Sequence, residues 1–175
     1  FPYFGSNFWE DWERPIHFEI REPDGSGYAA NAGVKIFGGW SRAFPQKSLS
    51  IFARSHLGPS SFDYSLFPGT GINEYEAFVL RNSGNDWEST MMRDGFITSI
   101  ADHLNIDHQR YRPALLFLNG EFWGIQNIRE KVNEHFIASN HSIESEHIDL
   151  LDIQGVNDEN VVHGTNTDYQ ILLNY

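Results

Sequence analysis

Asn119-Gly120 stands between two apolar runs, Ala114 to Leu118 and Phe122 to Ile128. An Asn-Gly pair in that position is a strong β-hairpin signal, because both residues accept the positive φ that a tight turn demands. Residues 114 to 128 are therefore expected in antiparallel strands and not in helix. Other segments agree. Ile16, Phe18 and Ile20 alternate with His17, Glu19 and Arg21, the pattern of a half-buried strand. Turn chemistry follows in Pro23-Asp24-Gly25-Ser26-Gly27. Val34-Lys35-Ile36-Phe37 reads as a short strand ended by Gly38-Gly39. Ser48 to Ala53 alternates, and Ala77-Phe78-Val79-Leu80 is short enough to be a buried strand. Between those two strands, Ser55 to Tyr75 is rich in Gly, Pro and Ser and reads as an irregular excursion.

Helical spacing is clearest further on. Met92, Phe96, Ile100 and Leu104 recur every four residues, which lines one face and predicts that face buried against the sheet. Asp86, Ser89 and Thr90 are the candidate caps at its start. Val132 to Ala138 reads as a shorter helix, Ile148, Leu150 and Leu151 as a last strand, and Tyr169 to Tyr175 as the start of another helix. No period of 20 to 50 residues repeats. The fold class expected is α+β, a mostly antiparallel sheet with packed helices, read as one domain over residues 1–175.

Charge and composition then narrow the function. The 24 acidic residues against 12 basic ones give a formal net charge of −12. That excess opposes non-specific nucleic-acid binding, which needs clustered Lys and Arg to neutralise phosphates. No apolar run approaches the length that spans a membrane as a helix. The absence of cysteine removes disulfides, thiolate nucleophiles and zinc ribbons from consideration. The chain opens without Met and stops at Tyr175 inside an apolar pattern, and reads as a segment of something longer. His135, His141 and His147 fit no usual zinc spacing, so no metal ligand is assigned. The five tryptophans suit a sugar-stacking platform or, more commonly, a core.

Two segments carry candidate chemistry. Gly38-Gly39-Trp40-Ser41-Arg42-Ala43-Phe44-Pro45-Gln46-Lys47 joins two expected strands. Glycines let a backbone approach an anion and aim its N–H groups at it, and Arg42 and Lys47 add charge. Lys47 is one of only three lysines, with Lys35 and Lys131. The plainer reading is a strand connection whose glycines serve geometry and whose lysine is solvated. Arg129-Glu130-Lys131-Val132-Asn133-Glu134 stands at a strand-to-helix junction, where a carboxylate meets a neighbouring lysine or Asn133 caps a helix. Asn82, Ser83, Asn85 and Asp86 read as a turn with side-chain-to-backbone bonds.

Taken in order, several blocks resemble the CotH kinase family. They are Gly33 to Leu49, Leu80-Arg81-Asn82-Ser83-Gly84-Asn85-Asp86-Trp87 with Met92-Arg93-Asp94, and Phe117 to Ile125 followed by Asn127-Ile128-Arg129-Glu130-Lys131. A weaker block is His147-Ile148-Asp149-Leu150-Leu151. The blocks cover most of the chain from about Gly33 to Leu151. Trp9-Glu10-Asp11-Trp12-Glu13-Arg14-Pro15 also looks like large exported bacterial relatives.

The resemblance implies the N-terminal lobe and adjoining part of an atypical protein-kinase-like fold. That fold binds ATP with Mg²⁺ and passes the γ-phosphoryl group to a protein Ser. The family's type member is a spore coat kinase. By that likeness Gly38, Gly39, Ser41, Arg42 and Lys47 form the nucleotide-binding set, with Glu130 as the carboxylate paired to Lys47. The family's metal-binding and catalytic aspartates lie beyond the matched blocks. No catalytic residue is therefore assigned within residues 1–175, and this segment alone is expected to be inactive. Asp149 and Asp152 are given no such role, and Asn133 stands where many relatives have Asp. The likeness also implies a protein substrate and a secreted or cell-surface setting. The alternative is an exported adhesion or carbohydrate-contacting module without catalysis. Fold alone does not decide between them.

Overall fold

The computed structural model describes residues 3–155 and 158–175. It divides into two compact units, Phe1–Lys131 and Val132–Tyr175.

In the first unit the strands are β1 (Arg14–Arg21), β2 (Gly27–Phe37), β3 (Ser48–Phe52), β4 (Phe62–Asp63), β5 (Glu74–Tyr75), β6 (Ala77–Arg81), β7 (Tyr111–Leu118) and β8 (Glu121–Glu130). Six of them form one sheet in the order β1-β2-β3-β6-β8-β7, every pair antiparallel. The expected hairpin is there. Asn119 at φ 51° and Gly120 at φ 85° join β7 to β8, and the Phe117 and Phe122 rings meet beside the turn at 5.5 Å. Gly25, at φ 88°, turns β1 into β2. The strand read at Val34–Phe37 begins earlier, at Gly27, because Tyr28, Ala30 and Ala32 continue its inward-facing alternation.

Two rows of the register separate the faces. Val34, Ile51 and Phe78 lie side by side on β2, β3 and β6 and point into the core. Lys35, Ser50, Val79, Arg129 and Tyr111 form the neighbouring row, crossing five strands on the other face.

The core face is covered by the segment read from sequence as an irregular excursion. It is irregular apart from β4 and β5, yet Phe62, Leu66, Phe67 and Tyr75 within it are all buried. Phe62 meets Phe18 at 5.2 Å and Phe78 at 5.7 Å. Each such side chain contributes about 1.5–3 kcal/mol relative to exposure, which holds a loop that few backbone bonds would fix.

The other face receives α1 (Arg93–Ile100). The expected helix exists, but the expected burial is overturned. Met92, Phe96, Ile100 and Leu104 are 55–59 % exposed. Asp94, Gly95 and Thr98 face the sheet instead. The cause is the sheet's own chemistry. Arg129 is 1 % exposed and takes a carboxylate from α1, which turns the apolar stripe outward. A buried charge without a partner costs more than an exposed apolar face.

The second unit contains α2 (Glu134–His141), β9 (Leu150–Gly155), β10 (Asp158–His163) and α3 (Thr167–Leu173). Asn133 caps α2, its side-chain oxygen accepting from the Phe136 N–H at 3.1 Å. The last expected strand is β9, and β10 pairs with it antiparallel where no strand was read. Among the described residues no helix is long and apolar enough to cross a membrane.

Candidate functional site

The segment from Gly38 to Lys47 folds as a glycine turn, one 3-10 turn over Trp40–Ala43, and a bend over residues 44–46 that leads into β3. Gly38 sits at φ 103°, and a Cβ there would lie 2.3 Å from Ser41 Oγ. Only glycine fits that step. A Cβ on Gly39 would meet nothing within 4 Å, so this side of the turn is open. Ser41 is half-buried, and its backbone carbonyl accepts from the Phe44 N–H at 3.2 Å.

Arg42 shapes the turn. Its Nε donates to the Gly38 carbonyl at 2.6 Å, and Nη1 donates to the Trp9 carbonyl at 3.3 Å. The guanidinium thereby ties the glycine turn to the short 3-10 turn at Asn7–Trp9. Lys47 donates from Nζ to the Phe44 carbonyl at 2.6 Å, and its ammonium lies 4.3 Å from the centre of the Phe8 ring. Burial pushes its pKa below the ordinary lysine value. The Lys47 carbonyl accepts from Gln126 Nε2 at 3.0 Å, which pins the residue against β8.

Glu130 is 3 % exposed, in the same row as Val34, Ile51 and Phe78. Its carboxylate accepts from the Arg110 backbone N–H at 2.9 Å and from Arg110 Nη1 at 2.6 Å. The Lys47–Glu130 pair expected from sequence is thus not formed, since each has another partner. Gln126, which holds Lys47, precedes Glu130 by four residues on β8, about 13 Å along a strand. Arg110, which no motif in the sequence marks, takes the place expected for the lysine. That residue lies just ahead of β7, directly beside the end of β8.

The polar stretch from Asn82 to Asp86 is a turn held by side-chain bonds, as read from sequence. Asn82 is fully buried, accepting from Ser48 Oγ at 2.8 Å and donating to the Gln46 carbonyl at 2.6 Å. Asp86 accepts from Thr90 Oγ1 at 2.5 Å and from the Arg93 N–H at 3.0 Å, so of the three candidate caps it is the one that meets the first N–H of α1. The Thr90 hydroxyl first, and then the Arg93 N–H, hold its pKa at about 2.

A second charged cluster was missed. Asp94 accepts from Arg129 Nη1 at 2.6 Å and lies 3.0 Å from Arg81 Nε, so two guanidinium groups share one carboxylate. Arg81, Asp94 and Arg129 each fall in a block quoted above, but nothing in their spacing announces that they meet. A third feature is aromatic and gathers two of the five tryptophans. The Trp9 and Trp40 rings are 6.2 Å apart, and Phe4 contacts both.

Among the described residues no group of three or more His, Asp or Glu converges as a divalent cation's ligands do. The site as folded is a partly desolvated ammonium, held by the Phe44 carbonyl and the Phe8 ring, together with a glycine turn that Arg42 braces and that is open at Gly39. That donor set suits an anion.

No curated protein matches the chain. The family model described as CotH kinase protein matches residues 34–171, which takes in the glycine turn, Lys47, the Asp86 turn and all of β8. The match extends over far more than half of the chain, which belongs to the CotH kinase protein family.

Proposed function

We propose that this chain is the nucleotide-gripping part of an atypical protein kinase that passes the γ-phosphoryl group of ATP to a protein Ser, its sheet serving as the N-terminal lobe. The observation that supports it most is Lys47. The residue lies inside the family match and is held by a carbonyl and a ring beside a glycine turn open on one side. Phosphoryl transfer asks a protein mainly for positioning and charge neutralisation. Lys47 supplies a fixed positive charge, and the Gly38-Gly39-Ser41 turn lets backbone N–H groups and a hydroxyl come close to phosphate oxygens. Arg42 acts on the turn's shape. Glu130 holds Arg110, and engaging Lys47 would require it to exchange that partner. ATP brings the reacting phosphoryl group, and a divalent cation normally accompanies it. The described residues present no ligand set for that cation, so no step is assigned through it.

The test is the melting temperature of the full chain with and without ATP and Mg²⁺. A ligand that binds only the native state raises it, by an amount set by concentration over Kd. Lys47→Ala is expected to abolish the shift. Lys35→Ala, which removes an equal charge paired to Asp11, is expected to keep it. A full shift in Lys47→Ala would refute the reading.

A further inference from the structure

Two apolar surfaces stand uncovered on the same side of the large sheet. On β7, Leu115 and Phe117 follow Tyr111 at even steps and so share its face, which is the face that carries Arg129 and α1. The register sets Ile125 opposite Leu115 and Phe122 opposite Phe117, and these four side chains are 45–65 % exposed. The second surface is the outward stripe that begins at Met92 and runs along α1 through Phe96 and Ile100. Exposed apolar side chains are normally scattered singly on a surface, and gathered ones mark a contact.

The hairpin needs cover for a structural reason. β6 pairs with β8 over Asn127–Glu130, so from Glu121 to Ile125 the one strand beside β8 among the described residues is β7. A two-stranded ribbon is marginal in water unless its apolar face packs on something. Its outer edge is also undefended. β7 ends the sheet order, and its one charged residue, Arg112, turns to the core to meet Glu22 and the Leu66 carbonyl. Pro113 blunts only the start of the strand. The opposite edge, β1, keeps Arg14, His17, Glu19 and Arg21 exposed, the kind of charge that stops an edge from associating.

We propose that this side of the sheet joins two copies of the chain about a two-fold axis, the helix stripe of each copy lying on the hairpin face of the other. A helix stripe and a sheet face are surfaces that cover one another in layered cores. One molecule supplies both, so a symmetric pair leaves neither open. At their observed exposures the seven side chains offer about 800 Å² per copy, the share that an interface of ordinary size takes from each partner. A foreign helix would cover the hairpin and leave the stripe of α1 in water. The net charge of −12 on each copy opposes the pairing at long range, and the uncharged patch keeps that charge out of the contact. Association is therefore expected in the micromolar range and tighter in salt, because screening shortens the repulsion and spares the apolar contact. Dilute solutions hold the single chain described above. The inference is independent of the nucleotide reading.

Sedimentation velocity on the full chain reads the mass. A rise from 20.1 kDa towards twice that value is expected as concentration increases, with a further rise at higher salt. Phe96→Lys on the stripe and Phe117→Glu on the hairpin are each expected to stay monomeric. Both side chains are exposed, so both variants should keep the parent's circular dichroism, which excludes misfolding as the cause. Mixing the two variants tests the reciprocal arrangement, which sets opposite charges together at one contact and leaves the native pair at the other. The mixture is expected to regain the dimer. A parent that remains at 20.1 kDa at about 100 μM, well above the micromolar range, would overturn the proposal. So would variants that dimerise like the parent, or a mixture that stays monomeric. Binding of the monomeric parent to phosphatidylcholine vesicles, lost in both variants, would assign the patch to a lipid surface and overturn it as well.

Discussion

Arg129 of β8 places Nη1 2.6 Å from Oδ2 of Asp94 in α1, with the arginine side chain 1 % exposed. Burial pushes the guanidinium pKa down from its ordinary value, and Asp94 opposes that shift. Arg81 leans on the same oxygen from β6 at 3.0 Å. One carboxylate therefore neutralises two cations and decides which side of α1 meets the sheet.

Asp94→Asn should be costly for that reason. It leaves a buried guanidinium without its anion and sets two arginines against each other. Removing one partner of a buried pair costs about 3–5 kcal/mol, and the partial exposure of Asp94 lowers the expectation to about 2–4 kcal/mol. A urea titration reads the change. Adding Arg129→Met should recover part of the loss, and an unchanged midpoint in Asp94→Asn would show that the pair does not set the packing.

The orientation of α1 makes a paired prediction. A Cβ on Gly95 would lie 2.4 Å from the Tyr111 ring, so Gly95→Ala should destabilise by about 1–3 kcal/mol through overpacking. Phe96→Ala should stay within about 0.5 kcal/mol, because its ring is exposed. Denaturant midpoints in the opposite order would put the apolar stripe back against the sheet.

Acid stability should carry a signature of Asp86. Its folded pKa of about 2 is below the ordinary carboxylate value of about 3.9. A depressed carboxylate contributes stability that is complete above about pH 4 and is lost as pH falls towards 2. Asp86→Asn should flatten that part of the curve. Glu13 and Glu22 are also held low, chiefly by hydrogen bonds from Arg54 and Arg112, so the variant should keep some acid sensitivity. Urea midpoints taken between pH 5 and 2 test this, and identical slopes in variant and parent would contradict it.

Lys47 and Glu130 should behave independently in the unliganded chain. Their partners differ and the residues lie far apart along the sheet. The stability changes of Lys47→Ala and Glu130→Gln should add to within about 0.5 kcal/mol in the double variant. A coupling well above 1 kcal/mol would mean that they meet in solution.

Much of the sheet was legible because its signals are local. Asn119-Gly120 dictates its own turn, and the alternation from Ile16 to Ile20 shows which side is wet. The outward stripe of α1 was not legible, because spacing reveals that a helix has an apolar face but not what the opposing surface requires. Arg129 follows directly on an apolar run, and only the register brings it beneath Asp94. The same limit hid Arg110 as the partner of Glu130. The excursion between β3 and β6 is irregular as expected, and its burial was not legible for another reason. Its glycines and prolines announce irregular backbone correctly, and they mask Phe62 and Leu66, which bury themselves without any period. The family blocks placed Lys47 inside the resemblance, while the contacts that hold it come from Phe8 and Phe44.

Gln46 gives the position of Lys47 a thermodynamic meaning. Its amide nitrogen donates to the Ile125 carbonyl at 2.9 Å, its amide oxygen accepts from the Trp87 indole at 2.9 Å, and its backbone carbonyl accepts from Asn82. The residue ahead of the lysine is thus locked to three separate parts of the unit before any ligand arrives. On the proposed nucleotide reading, an anion reaching Lys47 would have little backbone left to order. Its capture should show a small entropic penalty and an on-rate governed by diffusion and by the repulsive field of an acidic protein, not by loop closure.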